Sequence, residues 1–546
     1  MPDKIKCGNG ITLERGLRCT LSDQTTLVSD HYYPNGQGPW PTLLMRQPYG
    51  RDIASTVVYA HPIWFARNGY HVVIQDVRGR GASEGNFYPF RHEARDGAET
   101  IAWLLQHPAC NGRIGMYGFS YQGATQLLAA AENPEGLICI APHMTATDLY
   151  HGWFYHQGAL RLASSLGWGI QMLREDSRRR GLRNASDRLE SAWTNLRAQT
   201  HIVPYANHPA ITDPELPSYV RDWFAHPNPK DPYWSELSTK VERIRIPALH
   251  ISGWFDTYLE GSIAGYLALR NNAATAFARD NQFLLAGPWV HIPWVPADNF
   301  DTDLHLLRWF NHWLKGTEDF KHEPRIRHFA LGENKWHEAT DWPAADPLIL
   351  YLHSDGTLSA NPPTHEEPRD IFVYDPEVPV IDPGGPDLDQ TPIENGNNVL
   401  VYTTSPLKSA THIFGQPSVT LYASTSASSA DLTAKLVRVT RDGKAQFIAI
   451  GIARASWLFT ETPYQPDAIQ CWRFTIEPTS IVLYPGESLR LEVASSAFPL
   501  YDRNPSTKVP PSQADHWNWQ RSTQQIAHSP EHPSAIHLPI EGTNPW

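Results

Sequence analysis

No stretch of this 546-residue chain approaches the roughly 18 consecutive apolar residues that cross a bilayer, so no membrane span is expected. The opening, Met1-Pro-Asp-Lys-Ile-Lys-Cys7, holds neither an apolar core nor a small-residue cleavage site. A secretory signal is therefore not expected, and a cytoplasmic location is the default. Excess positive charge is lacking too. With 45 Lys and Arg against 57 Asp and Glu, the formal charge is -12, which opposes non-specific nucleic-acid binding. Cysteine is scarce: Cys7, Cys19, Cys110, Cys139 and Cys471 form an odd, scattered set without a Cys-x-x-Cys pair, neither a disulfide framework nor a zinc site. His151 and His156 belong to no His-Glu-x-x-His run, so neither a metal nor an organic cofactor is expected. Internal repeats and low-complexity tracts are absent.

What is present is enough chain for two or three domains. The 46 prolines and 20 tryptophans point to many turns and loops rather than a helical bundle. The first third alternates strand-like and helix-like segments. Residues 25–33 and 41–47, His71–Asp76 and Arg113–Tyr117 read as strands; Pro62–Asn68, Ala94–Gln106 and Gly123–Glu132 read as helices. Such alternation implies a largely parallel sheet with helices on both faces. From about residue 146 aromatics crowd Tyr150–Tyr155, and a charged amphipathic stretch follows over Leu173–Ala198, the pattern of a helical insertion. Strands resume at Pro247–Ser252 and Gln282–Ala286, and a helix near Leu304–Leu314 closes the domain. Beyond about 325 the helical period vanishes. Leu348–Leu352, Ile371–Tyr374, Leu400–Thr403, Ser418–Ala423, Leu432–Val439 and Leu489–Val493 are short strand candidates, a spacing that suggests a sandwich.

The chemistry lies in Ile114-Gly-Met-Tyr-Gly-Phe-Ser120-Tyr-Gln-Gly123, a strand running through Gly-x-Ser into a helix of small residues. A nucleophile elbow needs this order, because the serine sits on a strained turn and its hydroxyl projects at a helix N-terminus. The backbone N–H of Tyr121 would then face a developing oxyanion. The usual elbow is Gly-x-Ser-x-Gly, whereas Gln122 stands at the last glycine position here. Read alone, Gly-x-Ser is more often a plain turn; the preceding strand and the following small-residue helix bring the elbow reading level with it. A serine hydroxyl also needs a base, and the base needs an orienting carboxylate, each in a loop after a later strand and in the order Ser, Asp, His. Gly253-Trp-Phe-Asp256 and Gly287-Pro-Trp-Val-His291 follow the two later strands and satisfy that order.

These segments resemble the cocaine esterase and glutaryl-cephalosporin acylase family of α/β-hydrolases, related to X-Pro dipeptidyl peptidases and α-amino-acid ester hydrolases. The resemblance rests on Arg46-Gln-Pro-Tyr49, Ile74-Gln-Asp-Val-Arg-Gly79, Ala82-Ser-Glu-Gly85, Gly118-Phe-Ser-Tyr-Gln-Gly123 and the Asp256 and His291 motifs. In the tail it rests on Asp431-Leu-Thr-Ala-Lys-Leu436 and Phe498-Pro-Leu-Tyr-Asp-Arg-Asn504. It implies an α/β-hydrolase core over residues 1–145 and 241–324, a helical cap over 146–240 and an all-β jelly roll over 325–546. It also implies that the Tyr49 phenol donates to the oxyanion; without the family, Tyr49 reads as a strand-end core tyrosine. Ser120, His291 and Asp256 become nucleophile, base and orienter in ester or amide cleavage through an acyl-enzyme. Members acting on α-amino acyl groups carry acids two and three positions after the triad Asp. Tyr258 and Leu259 stand there in this chain. Tyr258 and Trp168, and with even weight Trp153 and Phe154, read as an aromatic acyl pocket or as packing between cap and core. The expected partner is a small-molecule ester or amide, with no membrane or nucleic acid, and a homodimer is left open. Acyl transfer, X-Pro peptidase activity and a catalytically silent binding protein remain the alternatives.

Overall fold

The computed structural model describes residues 3–8, 10–52, 56–292, 294, 297, 300–320, 322–343, 347–382, 385–386, 388–540 and 545–546. The chain forms two compact units, one of Met1–Trp153, Pro232–Phe329 and Asn334–Asp341, the other of Phe154–Asp231, Ala330–Glu333 and Trp342–Trp546. Along the chain come β1 (Asp3–Cys7), β2 (Ile11–Thr20), β3 (Thr26–Pro34), β4 (Trp40–Gln47), α1 (Pro62–Arg67), β5 (His71–Asp76), α2 (Glu93–Leu105), β6 (Cys110–Phe119), α3 (Tyr121–Ala131) and β7 (Leu137–His143). In the second unit follow the hairpin β8 (Tyr155–His156) and β9 (Ala159–Leu160), then α4 (Leu162–Arg179), α5 (Arg183–Thr194), α6 (Leu196–Gln199) and α7 (Tyr219–Ala225). The first unit resumes with α8 (Pro232–Leu237), β10 (Ala248–Phe255), α9 (Leu259–Asn272), α10 (Ala276–Asp280), β11 (Gln282–Val290), α11 (Thr302–Phe310), β12 (Ile326–Ala330) and β13 (Lys335–Ala339).

Among the described residues, the sheet of the first unit runs β1-β2-β3-β5-β4-β6-β7-β10-β11-β12-β13. It therefore continues past residue 324, where the sequence suggested that the core would close. From β5 and β4 through β6, β7, β10, β11 and β12 the strands are parallel, while β1 to β3 are antiparallel and β3 runs against β5. Every residue of β5 is buried, which is why it reads as an unbroken apolar run and not as an alternation. Alternate side chains still feed two separate cores. Leu43, Met45, Val72 and Ile74 pack with Phe65 of α1 and Phe310 of α11. Leu44, Val73, Ile114 and Met116 pack with Ile101 and Leu104 of α2 and Leu127 of α3. Each such aliphatic side chain contributes about 1.5–3 kcal/mol on burial, so both faces of the sheet are held.

The second unit pairs its helices with an all-β region whose larger sheet has eleven strands among the described residues. All six strand segments expected from the sequence are strands, for instance Leu348–Leu352 and Ser418–Thr425. Their inward residues, including Leu350, Phe372, Leu421, Leu436 and Leu491, form one core. The two tail motifs meet at a buried ion cluster: Arg454 donates to Asp431 and to Asp502, each at 2.8 Å, and Asn504 donates to Asp431 at 2.7 Å. Among the described residues no helix is long and apolar enough to cross a membrane.

Candidate active site

Because the central strands are parallel, their carboxyl ends share one edge, and the loops leaving that edge are where ligands bind in such sheets. Tyr49 lies two residues beyond β4, Ser120 follows β6 directly, Asp256 follows β10 and His291 follows β11. Residues far apart in sequence are thus brought to one rim by strand direction alone.

Ser120 has φ 60° and ψ -128°, a conformation costly for a residue with a side chain. It is held by its own N–H donating to the carbonyl of His143 at 2.8 Å, and by the start of α3, where Gly123 N–H and Ala124 N–H reach the Ser120 carbonyl at 2.9 and 3.1 Å. Two glycines make the turn feasible. Gly118 has φ +141°, and a Cβ there would lie 2.4 Å from Gln122 Cβ; a Cβ on Gly123 would lie 2.7 Å from the Thr145 methyl and 2.9 Å from the His143 carbonyl. Position 122 is not crowded in that way. The Gln122 side chain folds under the turn and accepts the Phe119 N–H at 3.3 Å, which explains why a glutamine is tolerated where a glycine is usual. The Ser120 hydroxyl makes no capping bond to α3. Among the described residues no hydrogen bond joins it to His291, a link that often closes only when substrate is bound.

Asp256 is buried, and its two oxygens have separate duties: Oδ1 accepts the Tyr258 N–H at 2.7 Å, and Oδ2 pairs with His291 Nδ1 at 2.6 Å. The imidazole is 28% exposed, so its other nitrogen can be approached. Its ring lies 5.4 Å from that of Phe119, the residue before Ser120, and 5.1 Å edge-on from Tyr258. Tyr258 stacks on Trp153 at 4.1 Å, Trp153 meets Phe90 at 5.1 Å, and Phe90 stacks on Tyr121 at 4.9 Å. A continuous aromatic run therefore connects the imidazole to the first residue of α3. Phe154 and Trp168 belong to the second unit, where they pack on Trp223 with ring separations of 4.5 and 5.2 Å.

The Tyr121 side chain is engaged: its phenol donates to Glu93 at 2.8 Å and accepts the Phe90 N–H at 2.9 Å, and burial pushes its pKa well above 10. Its backbone N–H stands at the N-terminus of α3. Glu93 also takes Arg46 Nη1 at 2.8 Å, so the elbow rests on a buried ion pair. Tyr49 is half-buried, its N–H held by Gln47 Oε1 at 2.9 Å. Asp76 braces the glycine-rich loop from beneath, accepting the N–H groups of Arg51 at 2.8 Å and Ala82 at 3.1 Å.

Sequence reasoning missed three neighbours. His143 ends β7, and its Nδ1 meets the Tyr59 phenol at 2.6 Å; burial holds its pKa well below 6.5, so the ring is neutral. Trp294 donates to the His291 carbonyl at 3.2 Å and stacks on Trp289. Glu93 is the third. A strand-like run ending on His143 was the one available signal. Among the described residues, one group of three potential metal ligands lies close together, His31, His71 and His107, and none of them is at this rim.

A mixed α/β sheet with a strained serine at a strand-to-helix turn, and an imidazole–carboxylate pair on the same rim, is the architecture of the serine hydrolases. Residues 23–293 match the X-Pro dipeptidyl-peptidase (S15 family), and residues 318–537 match the X-Pro dipeptidyl-peptidase C-terminal non-catalytic domain. The chain is 32% identical to the cocaine esterase of a Rhodococcus species, over 95% of this chain and 97% of that one. An aminopeptidase from a marine-sediment Thaumarchaeota archaeon superposes with a TM-score of 0.80 at 25% identity, covering 98% of both chains. An α-amino acid ester hydrolase shares the fold with a TM-score of 0.76 at 24% identity, covering 99% of this chain and 98% of that one. This chain belongs to the S15 family of serine hydrolases that includes cocaine esterase.

Proposed function

We propose that the protein hydrolyses a carboxylic ester through an acyl-enzyme on Ser120, with His291 as base and Asp256 as orienter. The observation that carries this reading is the 2.6 Å contact between His291 Nδ1 and a buried Asp256 oxygen, on the rim where the Ser120 turn emerges. The carboxylate holds a proton on Nδ1, so Nε2 presents its lone pair. Ser120 Oγ attacks the ester carbonyl as its proton passes to Nε2. The Tyr121 N–H and the Tyr49 phenol hold the oxyanion, each donor worth about 3–4 kcal/mol in the transition state. Nε2–H then protonates the departing alkoxide. Water, deprotonated by the same imidazole, cleaves the acyl-enzyme.

For the acyl side we propose an apolar or aromatic group lying against Tyr258 and Trp153. A buried phenol ring at position 258 and Leu259 beside it place no carboxylate where a substrate ammonium would need one. The substrate of the 32% identical relative, named as a cocaine esterase, agrees with that preference. A panel of benzoyl, acetyl, glutaryl and aminoacyl esters, run on native protein and Ser120→Ala, tests both statements. Benzoyl or acetyl turnover that is lost in Ser120→Ala, together with fluorophosphonate labelling of Ser120, is expected. Undiminished turnover in Ser120→Ala would overturn the mechanism, and preference for aminoacyl esters would overturn the pocket. Release of a Xaa-Pro dipeptide from a peptide would establish the peptidase alternative, which the match to that family supports.

A further inference from the structure

The amino-terminal edge of the same strands carries a second cluster, formed by residues that the proposed reaction does not use. His71 is the first residue of β5, His31 lies on the adjacent antiparallel β3, and His107 stands between α2 and β6. In the register, His31 pairs with Val73. His71, two residues before Val73, therefore points to the same face as His31. The rings converge at 4.8, 4.9 and 5.1 Å, and one ring nitrogen from each lies within 4.8 Å of the other two. The six residues of β5 separate this cluster from the opposite rim by roughly 16–20 Å.

We propose that His31, His71 and His107 bind one divalent ion of the zinc, copper or nickel class, clamping β3, β5 and the start of β6 together. Imidazole nitrogens without thiolates suit these ions, and three of them leave a fourth position for water. Tetrahedral ligation at about 2.0–2.1 Å needs nitrogens about 3.3 Å apart. His31 Nδ1 and His71 Nε2 now share a hydrogen bond at 2.8 Å, so that pair opens by about half an ångström to admit the ion, while separations in the trio that reach 4.8 Å close by up to about 1.5 Å. The outer nitrogens are already supported. His31 Nε2 meets Ser29 Oγ at 2.9 Å and His71 Nδ1 meets Thr42 Oγ1 at 3.1 Å. A hydroxyl can donate or accept, so when the ion takes the inner lone pairs the imidazole protons can sit on the outer nitrogens, as metal-bound histidines require. The ion displaces the hydrogen bond between His31 and His71. His107 is only half-buried, which leaves an entry path.

The experiment uses full-length protein treated with chelator and then titrated with Zn²⁺ and, separately, with Co²⁺. One equivalent of Zn²⁺ is expected in calorimetry, with the visible bands of low-symmetry, four-coordinate Co²⁺. A rise in thermal midpoint is also expected, since saturation at 100 times Kd favours the folded state about 100-fold. His107→Ala and His107→Gln, placed at the half-exposed member so that the fold is kept, should weaken binding roughly tenfold or more while ester hydrolysis is unchanged. Equal stoichiometry and affinity in the native protein and both variants would place the ion on other histidines and overturn the proposal. So would an octahedral Co²⁺ spectrum, or no uptake at all.

Discussion

Replacing Asp256 by Asn exposes the logic of the site, because the two carboxylate oxygens have partners of different kinds. Oδ1 must accept the Tyr258 N–H at 2.7 Å, so the amide oxygen of the variant is held there and its NH₂ group turns toward His291 Nδ1. An NH₂ facing Nδ1 requires a lone pair on that nitrogen. The imidazole proton then moves to Nε2, where it blocks acceptance of the Ser120 proton. The shape is unchanged but the tautomer is wrong, an effect of about 10⁴ in kcat in a comparable triad. That factor corresponds to about 5–6 kcal/mol of barrier. Steady-state kcat on an aryl ester measures it, and the rate of fluorophosphonate labelling at Ser120 should fall in step while circular dichroism stays native. A kcat within tenfold of native, in a correctly folded variant, would show that Asp256 does not select the His291 tautomer.

On the proposed mechanism Tyr49→Phe removes one oxyanion donor and should lower kcat by about 10²–10³ with little change in KM; an unchanged kcat removes Tyr49 from the machinery. Tyr121→Phe should behave in the opposite way. It strips the buried Glu93 carboxylate and the Phe90 N–H of the phenol but keeps the backbone N–H of residue 121. Urea denaturation should show a loss of about 2–4 kcal/mol, while kcat stays within a few-fold; a native stability would refute the buttress. His250 is buried, and burial lowers its pKa to about 4 in the folded protein against 6.5 unfolded. The unfolded chain therefore takes up this proton first as pH falls through 6.5, and stability is lost between about pH 6.5 and 4. Between pH 8 and 5 the native protein should lose about 2 kcal/mol more than His250→Gln does, and parallel losses would contradict the neutral ring.

The elements most legible in the sequence were those whose own residues dictate them. β5 matches its expected bounds at His71–Asp76, and α2 differs by one residue at each end, because apolar runs and helical periodicity are local properties. β7 escaped notice although its pattern is strand-like: it is seven residues long, ends in Pro-His, and is defined mainly by lying between β6 and β10. β12 lies beyond the expected end of the core at 324, since nothing local reveals which sheet a five-residue strand joins. The stacking of Phe154 and Trp168 on Trp223 was likewise not legible, because it depends on how separate helical segments of one unit pack.

By itself the sequence determined the strand–turn–helix around Ser120, the order Ser, Asp, His, and the placement of each after a strand, because these depend on neighbours within a few positions. Only the tertiary structure decided that Asp256 divides its oxygens between Tyr258 and His291, and that Glu93 and Arg46 brace the elbow. It alone also brought His31, His71 and His107 together at the far edge. Strand register and burial set those distances, and both arise from pairings between segments tens to hundreds of residues apart.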